Sequence, residues 1–110
     1  MHQSNPGMQT CIEACLRCYQ ECVAMSTSHC LDLGGEHARP VHIQLMQSCA
    51  EICRATAHVL NIGSPHHRRL CADCAEICMD CGADCERLGQ MDACVAACRA
   101  CAEQCRKMAA

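Results

Sequence analysis

Residues with a stake in burial recur along this chain at alternating spacings of three and four, and the residue that keeps the rhythm is cysteine. The series is Cys11, Cys15, Cys18, Cys22; Cys49, Cys53; Cys71, Cys74, Cys78, Cys81, Cys85; and Cys94, Cys98, Cys101, Cys105. Positions so spaced share one face of a helix, so this is the buried stripe of four helix-length segments. At about 100° per residue, Cys11 to Cys22 fall within a stripe about 60° wide, and Cys94 to Cys105 do the same. Thiols occupy the places where Leu, Ile and Phe would sit.

Breakers set the boundaries. A first helix is predicted over about 8–33, stopped by Gly34 and Gly35, and a second from about 38 to 62, with Pro40 in its first turn and Gly63 beyond it. Ser64 and Pro65 suit an N-cap and first residue for a third helix over about 64–88, ended by Gly89, and a fourth covers about 91–108. Short connections favour antiparallel neighbours. The expected fold is therefore all-α: one domain over 1–110, an up-down-up-down four-helix bundle with a cysteine-lined core. The segments CIEACLRCYQEC, CADCAEICMDCGADC and CVAACRACAEQC resemble one another, a likeness that the helical period alone can generate. Between the cysteines, Glu13, Arg17, Glu21, Asp73, Glu76, Asp80, Asp84, Arg99, Glu103 and Arg106 read as solvated faces.

Composition strengthens the picture. With Phe 0, Trp 0 and Tyr 1 in 110 residues, cysteine must supply much of the core. A net charge of -3 without a basic face argues against nucleic acid as a partner. The stretch Met1 to Thr10 lacks a basic region followed by an apolar one, and no apolar run approaches the roughly 18 to 20 residues that span a bilayer, so neither export nor membrane insertion is expected. The expected setting is cytoplasmic, where thiols stay reduced. Disulfides within a helix are further disfavoured, since i, i+4 Cβ atoms stand about 5 to 6 Å apart and a disulfide wants ~3.8 Å.

Packing alone would be served better by Leu or Ile, which bury more area without an oxidisable group. Thiolates select Cu(I), zinc and iron–sulfur centres. If all sixteen thiols ionised, four zinc ions would leave 8 − 16 = −8 inside the bundle, whereas Cu(I) at about one per thiolate neutralises the interior. A two-coordinate ion places its sulfurs ~4.6 Å apart, twice the ~2.3 Å metal–sulfur bond of zinc, within reach of i, i+4 thiols. The ferredoxin spacing of cysteines is absent, and the CxxC pairs such as Cys15/Cys18 are only the three-residue step of the stripe, without the βαβ context of a thioredoxin-like motif.

Nearly the whole chain, through CIEACLRCYQEC, CAEIC, CADCAEICMDCGADC and CVAACRACAEQC, resembles the copper storage protein family, and its cytosolic branch in particular. The resemblance implies a four-helix bundle storing multiple Cu(I) ions per chain, a homotetramer, no catalytic turnover, and entry at one end fitted with His and Met. A copper chaperone or small-thiol donor is the candidate copper source. Along the first helix the stripe continues through Met25, Ser26 and His29, with Cys30 displaced to one side; backward from Cys49 it gives Met46 and His42. These meet at the first-loop end with Cys85 and Met91. There His29, His42, Met25, Met46 and Cys30 join the fifteen lining thiols as candidate ligands. Met46 suits packing as well as ligation, and Met91, off its stripe, is read as filling a gap. Leu60, Ile62 and Leu70 could close the opposite end, although His67 and Met108 lie near the stripes there. His2, His37, His58 and His66 are expected on the surface, and Tyr19 at a helix or subunit boundary. Two other readings stay open: a zinc- or redox-responsive interaction protein, and an iron–sulfur electron-transfer protein.

Overall fold

The computed structural model describes residues 5–110, so His2 lies outside the described residues. Asn5 caps α1 (Pro6–Ala24), its side chain accepting from the backbone N–H of Met8 at 3.1 Å while Pro6 occupies the first turn. A five-residue π-helical turn (Met25–His29) and one further α-turn, α2 (Cys30–Leu33), follow without leaving right-handed helical angles. Gly34 (φ 69°) ends this rod with a conformation that a side chain would resist. A short 3₁₀ turn (Gly35–Ala38) leads into α3 (Pro40–Asn61), then come α4 (His67–Leu88) and α5 (Asp92–Ala109).

Each long helix packs on two neighbours, in the cyclic order α1, α3, α4, α5. The rods lie side by side in a molecule 48 × 21 × 19 Å. This is the antiparallel bundle that the breakers and short loops predict, with helix ends within a few residues of the expected ones. Pro65, expected inside the third helix, instead sits in the turn that precedes α4.

All sixteen cysteines point inward and are fully buried, and all are unpaired thiols. The remaining core is small, chiefly Ala50, Ala57, Ala75, Ala97 and Ala102, with Met46, Met91 and Leu60 as its largest apolar members. α4 and α5 come close at Gly82, where an added Cβ would stand 3.2 Å from the Cβ of Cys98. Glycine at that position lets two thiol-bearing helices meet.

The π turn changes which residues face the core. On an unbroken α-helix, Cys30 lies about 80° from Cys22 and His29 about 20° from it. One extra residue in the hydrogen-bond ladder sets everything beyond it back by about 100°, which swings Cys30 onto the stripe and His29 off it. The local sequence explains the irregularity. Ser26, Thr27 and Ser28 turn their hydroxyls back to Val23 and Ala24 carbonyls, with Thr27 to Val23 at 2.7 Å and Ser28 to Ala24 at 2.6 Å, and such back-bonding competes with the ladder.

Candidate metal centre

The thiols form a ladder. From the α1 N-terminus upward, Cys11 Sγ lies 3.8 Å from Cys105, which lies 3.7 Å from Cys15. Cys101 meets Cys15 at 3.6 Å and Cys53 at 3.7 Å. Cys53 meets Cys78 at 3.5 Å, Cys78 meets Cys49 at 3.7 Å, and Cys49 meets Cys18 at 3.7 Å. Cys18 meets Cys98 at 3.7 Å; above it Cys22 stands 3.8 Å from Cys94 and 4.0 Å from Cys81, and Cys94 stands 3.9 Å from Cys85. Each of these contacts crosses between helices, because stripe positions from facing rods interleave, and Cys22 stands within 4.8 Å of Cys18, Cys49 and Cys98 below it.

Several four-thiol groups have all their sulfurs within 4.8 Å of one another, among them Cys18, Cys22, Cys49 and Cys98, and Cys15, Cys74, Cys101 and Cys105. Cys11, Cys71 and Cys105 form a three-thiol group at the lower end. α3 supplies only two cysteines to this lining. One turn beyond Cys53 it presents Thr56, fully buried with its hydroxyl unpartnered, and beyond that Leu60.

Burial opposes ionisation of these thiols, and only neighbouring thiols counter it by donating to a thiolate. Cys101 is lowered to about 7 by hydrogen bonds with Cys105 and Cys15. At Cys71 the hydrogen bond with Cys105 pulls down, but the bond with Cys11 and burial outweigh it and raise the thiol to about 12. Among the described residues no lysine or arginine is buried beside these thiols, so they can give up protons in number only in exchange for a bound cation. A soft cation is the kind that thiolates select.

At the first-loop end, Cys30 Sγ stands 3.5 Å from His42 Nε2, 3.8 Å from Met46 Sδ and 3.9 Å from Met91 Sδ. His42 is 1% exposed and its Nδ1 lies 2.7 Å from Asp84 Oδ2. The Asp84 carboxylate accepts a hydrogen bond from His42 Nδ1–H, which leaves the Nε2 lone pair facing Cys30, the arrangement that orients histidine ligands. Burial alone would raise Asp84, but hydrogen bonds from His42 and Arg87 outweigh it and hold the carboxyl below its usual range.

Of the predicted entrance residues, the structure brings Cys30, His42 and Met46 together and leaves two apart. His29 is half-buried, its Nε2 hydrogen-bonded with the Gln90 carbonyl at 2.8 Å, and Met25 packs half-buried against the core. Three sequence readings need correction. The helical angle assigned to Met91 does not apply, because α5 starts at Asp92 and Met91 is its cap; it is buried with its Sδ 3.9 Å from Cys30. Asp84, read as solvated, backs His42. His37, read as a surface residue, is half-buried and meets the Gly89 carbonyl at 2.9 Å. His58 and His66 are exposed as expected, and Tyr19 is half-buried. At the far end Leu60 is buried while Ile62 is exposed, and His67 turns back to the Ser64 carbonyl at 2.8 Å. The i, i+4 pairs Cys74/Cys78 and Cys101/Cys105 stand at 3.8 and 3.9 Å, closer than a linear Cu(I) bridge, so side-chain rotation must spread them on loading.

The sequence profile described as copper storage protein matches residues 4–110. The chain belongs to the copper storage protein family. Among solved structures of like fold, the Nmul_A1745 protein from Nitrosospira multiformis is 45% identical, with 96% of this chain and 97% of that chain covered and a TM-score of 0.93. The Cu(I)-bound copper storage protein BsCsp3 is 39% identical over 94% of this chain and 99% of its own, with a TM-score of 0.87. A cytosolic copper storage protein from Streptomyces lividans with five coppers is 32% identical, with 94% and 92% covered and a TM-score of 0.79. The family's cysteine-rich bundle is thus this chain's fold.

Proposed function

We propose that this chain is a cytosolic, single-domain store of Cu(I), holding multiple ions on thiolates inside the bundle and performing no turnover. The observation that carries the reading is the column of buried, unpaired thiols, most of them 3.5 to 4.0 Å from a neighbour in another helix and the rest within 4.8 Å, in a core that among the described residues buries no carboxylate, lysine or arginine. Membership of the copper storage family, and relatives solved with copper in place, support it. So does the match between a monovalent ion and a monovalent ligand: each Cu(I) that displaces one proton leaves the interior neutral.

Cys11, Cys15, Cys18, Cys22, Cys49, Cys53, Cys71, Cys74, Cys78, Cys81, Cys85, Cys94, Cys98, Cys101 and Cys105 line the store. Entry takes place at the first-loop end, where Cys30, His42, Met46 and Met91 offer a mixed sulfur and nitrogen set that passes the ion inward by ligand exchange. Met25 and His29 flank that mouth without joining the set. A copper chaperone or a small-thiol complex is the donor, and the working assembly is the family's homotetramer. Among the described residues no helix is long and apolar enough to cross a membrane.

Titration of reduced, oxygen-free protein with Cu(I) against a competing chelator tests the storage reading. It should bind more than about ten ions per chain, near one per thiol, with little change in helical content. Saturation at about four or fewer, the number of four-thiolate sites that sixteen cysteines can make, would overturn it.

A further inference from the structure

One group in the core has the shape of a different ion's site. Cys53 Sγ stands 3.7 Å from Cys74, 3.5 Å from Cys78 and 3.7 Å from Cys101, and Cys74 stands 3.8 Å from both Cys78 and Cys101. All four sulfurs lie within 4.8 Å of one another. A regular tetrahedron around an ion with ~2.3 Å metal–sulfur bonds has an edge of ~3.8 Å, whereas a linear Cu(I) bridge needs ~4.6 Å. We propose that the copper-free bundle holds one tetrahedral divalent ion, Zn²⁺, on Cys53, Cys74, Cys78 and Cys101, in addition to its capacity for Cu(I).

The other thiol groups fit this geometry less well. Cys18, Cys22, Cys49 and Cys98 approach the tetrahedral edge only at Cys18–Cys49 and Cys18–Cys98, both 3.7 Å. The two remaining four-thiol groups borrow from the proposed site: one needs Cys74 and Cys101, the other Cys53 and Cys78. Filling the site therefore excludes both, and the expected stoichiometry is one per chain.

Charge gives the same limit. One Zn²⁺ on four thiolates leaves 2 − 4 = −2, far less to bury than the −8 of four such sites. Thiols outside the group help to carry it. Cys49 donates to Cys78 at 3.7 Å, and Cys15 and Cys105 lie 3.6 and 3.9 Å from Cys101, so S–H groups can point at the metal-bound sulfurs. Binding exchanges four thiol protons, released to solvent, for four Zn–S bonds; no electron moves. The ion would tie α3, α4 and α5 together near mid-length, where the core's other contents are mostly alanine and thiol. Cu(I) arriving at these same sulfurs must expel it.

Cobalt(II), a spectroscopic stand-in for zinc, tests the site on the full reduced chain without oxygen. The expected result is saturation at one equivalent, with the visible bands and the near-ultraviolet thiolate charge-transfer bands of tetrahedral CoS₄, bleached by one equivalent of Zn²⁺. Cys53→Ser and Cys101→Ser should each weaken cobalt binding at least tenfold, and Cys22→Ser should not, with helical content checked for every variant. Cu(I) added to the zinc-loaded protein should release one Zn²⁺ per chain to a chromogenic chelator. Failure of the wild-type chain to give a tetrahedral cobalt spectrum, saturation at several equivalents, or binding indifferent to Cys53→Ser would overturn the proposal. Cu(I) titration of the same preparation reads storage independently, so loss of one reading leaves the other standing.

Discussion

The two ends of the bundle are closed with different chemistry. At the first-loop end a thiol, an imidazole and two thioethers converge, with Asp84 fixing the imidazole. At the opposite end α3 contributes a threonine without a hydrogen-bond partner and a buried leucine, and the nearby His67 is turned to a backbone carbonyl. One end carries imidazole and thioether beside its thiol; beyond the last thiols, Cys11, Cys71 and Cys105, the other offers hydrocarbon and a hydroxyl. The difference is what gives the thiol ladder its proposed direction, because the mixed nitrogen and sulfur set stands at only one end.

The contrast can be broken from the closed end first. Leu60→Ala should destabilise the copper-free protein by about 2–5 kcal/mol, measured by chemical denaturation, through lost burial and the cavity left behind. Its rate of Cu(I) uptake should match the wild type; faster uptake would mean that this end is also a door. At the other end, Cys30→Ala combined with His42→Ala should slow uptake from a chelated donor by about tenfold, equivalent to ~1.4 kcal/mol, while final capacity falls by little. An unchanged rate would send the ion in elsewhere.

Thr56→Val sharpens the comparison by removing the orphaned hydroxyl at nearly constant volume. The copper-free protein should gain about 1 kcal/mol in denaturation experiments, because an unpaired buried hydroxyl is costly. A loss of stability instead would show that the hydroxyl has a partner in solution. The smallest effect is expected from Asp84→Asn, about 0.5–1 kcal/mol. The folded state holds the Asp84 carboxyl below its ordinary value of ~3.9, so its stabilisation is complete above that pH and is lost as pH falls through the lowered value. The variant should show a flatter acid-side stability profile than the wild type.

The helices and the lining were readable because a single residue type marked the stripe, and Cys11 to Cys22 keep the helical period without a gap. His42 and Met46 were readable by the same counting along α3, which is regular throughout. Counting failed where the period itself failed. Beyond Ala24 the π turn exchanges His29 for Cys30, and the only traces in the sequence are the Ser26-Thr27-Ser28 run and a cysteine standing off its stripe. Met91 was placed at the right end, but its facing could not be counted, because a helix cap has no place on a helical wheel. Asp84 was missed because its role rests on His42, forty-two positions away, and pairing across helices leaves no mark in local spacing.

The ladder of sulfurs has one further consequence. A column of shared thiol sites that fills from the proposed mouth beside Cys30 and ends at Cys11, Cys71 and Cys105 cannot be emptied in arbitrary order. On that proposed route, ions that entered first would lie deepest and wait for those above them, so the bundle would work as a last-in, first-out stack. The copper most recently acquired would then be the copper most readily returned, and exchange with an isotopic tracer should renew the sites beside Cys30 long before those beside Cys11.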